Sequence, residues 1–94
     1  MACFIIAQID IHDREAYQVY IDGYDKIFAK YRGRVLIVDE DPVVLEGEWP
    51  WTRTVVIRFP DEAEARRWFE SEEYQLLATH RRGASTANII LVNP

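Results

Sequence analysis

Two stretches, CFIIAQID (residues 3–10) and TRTVVIRF (52–59), narrow most sharply what this chain can fold into. Both are short and rich in β-branched and aromatic residues, which marks strands. Side chains along a strand alternate between the two faces of its sheet. One set is Cys3, Ile5, Ala7 and Ile9 with Val55, Ile57 and Phe59, joined by Ile89 and Leu91 of the last apolar run, TANIILV (86–92). The other is Phe4, Ile6, Gln8 and Asp10 with Thr54, Val56, Arg58, Asn88, Ile90 and Val92. The first set is wholly apolar. The second is mostly apolar with a scatter of polar groups, whereas a sheet face left to water reads as polar. Both faces need a cover.

The helices between these strands cover one face. Asp13 is an N-cap, because its carboxylate can accept from the orphan N–H groups of a first helical turn. After it, Tyr17, Tyr20, Ile21, Tyr24, Ile27, Phe28 and Tyr31 recur at three-four spacing, which predicts an amphipathic helix. Gly23 sits inside that helix at a cost of about 1 kcal/mol, and Gly33 is expected to end it as a left-handed residue. RVLIVD (34–39) and VVLEGEW (43–49) read as strands joined by the turn Glu40-Asp41-Pro42. Pro60 stops the strand before it, and Asp61 with Glu64 marks a new helix start. Ala65, Trp68 and Phe69 share a face there. Ser71 then breaks the phase and caps a short helix carrying Tyr74, Leu77 and Ala78.

The order is β-α-β-β-α-β, an α+β class. It predicts the ferredoxin-like split βαβ arrangement: a four-stranded antiparallel sheet with both helices on one face, as a single domain over residues 1–94. So small a domain buries only about 60 to 65% of its unfolded surface. Yet 49% of its residues are hydrophobic. With no third layer in the chain, a second copy packed face to face is the economical cover for the second face.

The net charge of -5 argues against nucleic acid as a partner, since phosphate binding depends on Lys and Arg releasing counterions. Cys3 is the one cysteine, and two distant histidines supply no metal-ligand spacing. No apolar run reaches the roughly 18 residues of a membrane helix, and the expectation is a soluble, cytoplasmic protein. No dinucleotide, P-loop or serine-hydrolase signature occurs.

DREAYQVY (13–20) resembles the D-x-x-x-Y-x-x-Y helix start of the family called domain of unknown function 1330, a branch of the dimeric α/β-barrel superfamily. The Glu46-Gly47 pair, VVIRFP, and ARRWFESEEYQ running on to Arg81 and Ala84 resemble its other landmarks in order. The run Trp68, Ser71, Glu73, Tyr74 is the most particular of them, and Arg32 stands where the first of a usual glycine pair is expected. The resemblance covers nearly the whole chain. The family is similar in architecture to small cofactor-free monooxygenases and lactone isomerases. It implies a homodimer, a pocket in each subunit and no cofactor; a reaction does not follow, because this fold hosts many activities.

The residues offer several chemistries. Asp10 and His12 form a general-base pair if the first strand runs that far, or His12 is a solvated ring before the cap. Tyr17, Tyr20, Tyr24 and Tyr31 are either core with hydroxyls at the rim or donors to a pocket, and the family motif includes Tyr17. His80 and Arg81, read as following the second short helix, can hold an anion or compensate a helix dipole. Acid/base groups are thus sought among His12, Tyr17, Glu46 and His80, and ligand contacts among Asp10, Tyr17, Arg58 and Arg81. The ligand is expected between the second sheet face and the first helix, touching Tyr17 and Arg58. Trp49 and Trp51 flank Pro50 at a bend, which suits a subunit contact first and a pocket roof second. Glu46 and Arg53 are expected to pair across the hairpin. A cofactor-independent enzyme and a non-catalytic ligand-binding module both fit.

Overall fold

A computed structural model describes residues 1–94. The elements are β1 (Cys3–Ile11), α1 (Arg14–Phe28), β2 (Arg34–Asp39), β3 (Arg53–Phe59), α2 (Glu62–Phe69), α3 (Glu72–Ala84) and β4 (Ser85–Val92). One antiparallel sheet runs β2-β3-β1-β4, the ferredoxin-like topology that the element order predicts. Each helix starts at its expected cap. Asp13 Oδ1 accepts from the Ala16 N–H at 3.0 Å, Asp61 Oδ1 from Glu64 at 2.8 Å, and Ser71 Oγ from Tyr74 at 3.2 Å.

The register follows the alternation. Ile5 lies beside Ile57 and Leu91, and Ala7 beside Val55 and Ile89. This set faces the helices, and Cys3, Ile5, Ala7, Ile9, Ile57 and Phe59 are buried there. Trp68 of α2 anchors the layer, its ring centre 4.3 Å from that of Tyr74 and 5.4 and 5.5 Å from those of Phe28 and Phe59. The Cα trace spans only 16 Å in its thinnest direction, so the molecule is two layers deep. The opposite face carries Ile6 beside Val56 and Ile90, and Ile90 is 57% exposed.

The structure corrects four sequence expectations. VVLEGEW forms no strand; residues 40–52 are a loop, because Pro42, Gly47 (φ +83°) and Pro50 leave no uninterrupted run to ladder. Helix α1 ends at Phe28, with Ala29 as a right-handed C-cap, so Tyr31 lies beyond it. Gly33 is not left-handed. It is small because a Cβ would stand 2.5 Å from both Phe28 Cζ and Phe59 Cε1. Finally, α3 runs on to Ala84, which puts His80 and Arg81 inside the helix. Gly23 has a packing reason as well: its missing Cβ would lie 2.6 Å from Leu77 Cδ1, so α1 and α3 approach closely.

Gly33→Ala is expected to cost about 1 to 3 kcal/mol through overpacking against the two phenylalanines. Urea unfolding measures it, and a loss under about 0.5 kcal/mol would contradict the contact.

Candidate functional site

A cavity of about 270 Å³ lies between the helix layer and the inner sheet face. Ile5, Ala7, Ile9, Val55, Ile57 and Ile89 form its floor. Tyr17, Tyr20, Ile21 and Tyr24, three or four residues apart on one face of α1, form a wall. Trp68 and Phe69 of α2 and Tyr74 and Arg81 of α3 close the other side. The rim is Val35 and Val38 of β2 with Asp25 of α1, all exposed.

The polar atoms in this apolar wall are mostly unpaired. Tyr20 and Tyr74 share a hydroxyl hydrogen bond at 2.8 Å. Tyr17 Oη, Tyr24 Oη, Trp68 Nε1, Arg53 Nε and Arg81 Nε are buried without a protein partner. Buried polar groups almost always pair, and each left alone costs about 1 to 3 kcal/mol. Five such atoms around one cavity mark where a polar partner would sit.

The charges divide into one held and one open. Arg53 Nη1 donates to Glu40 Oε1 at 2.9 Å, and Arg14 Nη1 donates to the same oxygen at 3.2 Å. These bonds, that from Arg53 foremost, hold the Glu40 carboxyl below its ordinary range. The Arg53 guanidinium also lies 5.7 Å from the Tyr17 ring centre. Arg81 lies 5.8 Å from the Tyr20 ring centre and has no carboxylate within ion-pair reach. Burial raises Tyr17 above the ordinary 10.0, although Arg53 and Arg81 pull it down. Burial raises Tyr20 and Tyr24 further, with neighbouring Tyr74 adding to both. At neutral pH these hydroxyls are protonated donors.

The residues singled out in the sequence divide between the two sides of the sheet. Tyr17 and Arg81 line the cavity. Arg58 and Asp10 lie on the outer face, Arg58 beside Phe4 and Asp10 beside Thr86. Tyr17 and Arg58 therefore share no site within one chain, since β-strand alternation puts them on opposite sides. His12 Nε2 stands 3.5 Å from Asp10 Oδ2 and 3.2 Å from Thr86 Oγ1, an exposed cluster outside the cavity. His80 is exposed on α3, and Glu46 is exposed in the 40–52 loop. Glu40, not Glu46, is the partner of Arg53. Trp49 is 40% exposed on that loop and Trp51 is half-buried.

Sequence reasoning passed over Arg53 and Trp68 as cavity groups, while Tyr24, offered there as either core or a pocket donor, lines the cavity. Alternation carries the signal for Arg53, which precedes Val55 and Ile57 in the inward set. No group of three or more His, Cys, Asp or Glu gathers to hold a metal ion, and no helix is long and apolar enough to cross a membrane.

Residues 2–94 match the family described as a domain of unknown function, DUF1330. The chain belongs to the DUF1330 family. Its landmarks now have places: Asp13 and Ser71 cap helices, and Tyr17, Trp68, Tyr74 and Arg81 line the cavity. Glu73 accepts from Lys30 Nζ at 2.7 Å and Tyr31 Oη at 2.9 Å, tying α3 to the segment after α1. No curated protein matches this DUF1330 chain in sequence.

Among solved structures, a protein of unknown function from Rhodopseudomonas palustris superposes with a TM-score of 0.83 at 17% identity, covering 99% of this chain and 82% of that one. SnoaB from Streptomyces nogalater, a cofactor-independent oxygenase, has a TM-score of 0.67 at 19% identity, covering 99% and 92%. A dimeric ferredoxin-like protein of unknown function from a Jannaschia species has a TM-score of 0.72 at 6% identity, covering the whole of both chains. At these identities the likeness is one of fold.

The buried tyrosines give a pH signature. Their folded values lie above the 10.0 of an exposed phenol, so above pH 10 the unfolded chain releases protons that the folded chain keeps. This contribution is complete below pH 10 and is lost as pH rises through the folded values. Tyrosinate absorbance is expected to stop short of its full amplitude until alkaline unfolding releases Tyr17, Tyr20 and Tyr24. Titration of all five tyrosines as one class in the folded protein would contradict the packing.

Proposed function

We propose that this DUF1330 chain is the subunit of a homodimer and binds a small, largely apolar metabolite carrying an oxygen function. The observation that carries the binding reading is the cavity beneath α1 and α3, apolar in its walls and lined by the unpaired hydroxyls of Tyr17 and Tyr24. Such a wall with few, convergent polar groups is the ordinary form of a small-molecule site. The dimer reading is supported by the apolar outer face and by Leu45, Val43 and Trp49 exposed on the 40–52 loop. A patch of this kind on a soluble chain fits a subunit contact. The Jannaschia protein of the same fold is dimeric.

A second reading, cofactor-independent catalysis, draws on Tyr17, a protonated phenol that feels the charges of both Arg53 and Arg81. It would act as proton donor, with Arg81 stabilising developing negative charge. SnoaB, of the same fold, is a cofactor-independent oxygenase. Against it stands the position of His12, His80 and Glu46 outside the cavity, which leaves Tyr17 without a neighbouring base. Binding is therefore the first conclusion and turnover the second.

Light scattering at micromolar protein is expected to return twice the chain's 11.1 kDa. Ile6→Lys on the outer face should give a folded monomer. Trp49→Ala should weaken association by about 2 kcal/mol while keeping the helical circular dichroism of the wild type. A wild-type monomer would remove the dimer, and an unfolded Trp49→Ala chain would make that tryptophan core.

For the cavity, a thermal-shift screen of metabolites with product analysis is expected to find stabilising ligands. Tyr17→Phe, which removes an unpaired hydroxyl, should fold with equal or greater stability and bind the hits about tenfold more weakly. Hits unaffected by Tyr17→Phe would place binding elsewhere. Product formed by wild type and abolished in Tyr17→Phe would favour catalysis.

A further inference from the structure

Arg81 is the least accounted-for group in the molecule. It is only 4% exposed in the isolated chain, so no second subunit packed on the outer sheet face can reach it. Its side chain makes no ion pair, its Nε has no acceptor, and its guanidinium carbon lies 5.8 Å from the Tyr20 ring centre. A buried guanidinium without an anion is strongly unfavourable, because desolvation is not repaid. Arg53, the other cavity cation, is already ion-paired to Glu40, a carboxylate it shares with exposed Arg14. The cavity thus presents one open positive charge at its inner side. At the rim stands Asp25, exposed and outside any ion pair, with its charge close enough to raise Tyr24.

We infer that the ligand of this cavity is a monocarboxylic acid with a one-ring, apolar body, its carboxylate held by the Arg81 guanidinium. The inference rests on the cavity being a binding site, as proposed above. A carboxylate matches the planar donor fork of arginine, which holds it through two hydrogen bonds at once. A second anionic group on the same molecule would meet Asp25 at the mouth, so a dianion is disfavoured. About 270 Å³ is the liquid volume of about nine waters, room for a single ring with a short side chain. Aromatic rings of Tyr17, Tyr20 and Tyr24 on one wall favour a flat partner. Tyr17 Oη, unpaired in the same cavity, can donate to the same carboxylate or to an adjacent oxygen of the ligand.

The test titrates wild type, Arg81→Met and Arg81→Lys by calorimetry with four probes: phenylacetate, phenylacetamide, phenylmalonate and benzyl alcohol. Wild type is expected to bind phenylacetate at least about tenfold more tightly than the amide or the dianion. Arg81→Met should lose that preference while holding the amide and the alcohol as wild type does. Its melting temperature without ligand should rise, because an apolar side chain of similar length replaces an unpaired buried charge. Arg81→Lys keeps the charge without the fork and should bind phenylacetate more weakly than wild type, which tests the anchor if Arg81→Met fails to fold. Equal binding of acid and amide to wild type would overturn the carboxylate anchor, and tighter binding of phenylmalonate would overturn the single charge. In both cases the cavity remains a binding site. Binding of benzyl alcohol alone would likewise overturn the ligand class and keep the cavity, whereas no binding of any probe would remove both.

Discussion

The structure depends on one constraint: a sheet with two apolar faces and helices enough for one. The inner face is satisfied within the chain, where Cys3, Ile5, Ile9, Ile57 and Phe59 are buried under α1, α2 and α3. The outer face is not, and Ile90 and Val92 stay exposed beside half-buried Phe4 and Ile6. Burial of apolar surface contributes about 25 cal/mol per Å², so a patch of this kind is a standing drive toward association. On the proposed reading, assembly and binding fall on opposite sides of one sheet.

The cavity arises from the same packing. Ala7, at the centre of β1, is a small residue beneath the large tyrosines of α1, and α1 is held close to α3 by Gly23 against Leu77. The tyrosines lean on one another, with Tyr20 5.4 Å from Tyr17 and 5.9 Å from Tyr24 between ring centres. Their hydroxyls are thus fixed in direction while two of them lack partners. A chain selected for stability alone would place phenylalanine at Tyr17 and methionine at Arg81. Stability surrendered at one place in a small domain is the physical mark of a site.

The fold was legible because its main signal is periodic. Alternation in β1, β3 and β4 and the three-four spacing of α1 each concern many residues, so local exceptions did not disturb them. The caps Asp13, Asp61 and Ser71 were legible for a related reason, since each accepts from the N–H three residues on. The 40–52 segment was misread because Val43, Val44 and Leu45 carry strand propensity, while the proline and glycine around them decide the backbone. Gly33 was misread because its size answers to Phe28 and Phe59, the latter distant in sequence, and not to its own dihedral angles. The site was legible only in part. Tyr17 and Arg81 stand at inward positions of their helices, but the extent of α3 was needed to see it for Arg81. Arg58 and Asp10 were singled out as polar members of the second sheet face, where they do lie, but that face is opposite the one Tyr17 covers. The Glu40 clasp on Arg53 joins residues 13 positions apart that no local pattern connects.

The central claim is that the helix-covered side of the sheet binds and the open side assembles. A crystal structure grown with phenylacetate tests it most directly. The account predicts the ring between α1, α3 and the inner sheet face, with a carboxylate oxygen about 3 Å from the Arg81 guanidinium, and a second subunit on the outer face. Ligand density between two outer faces, beside Arg58 and Asp10, with the inner cavity closed by side chains, would contradict it.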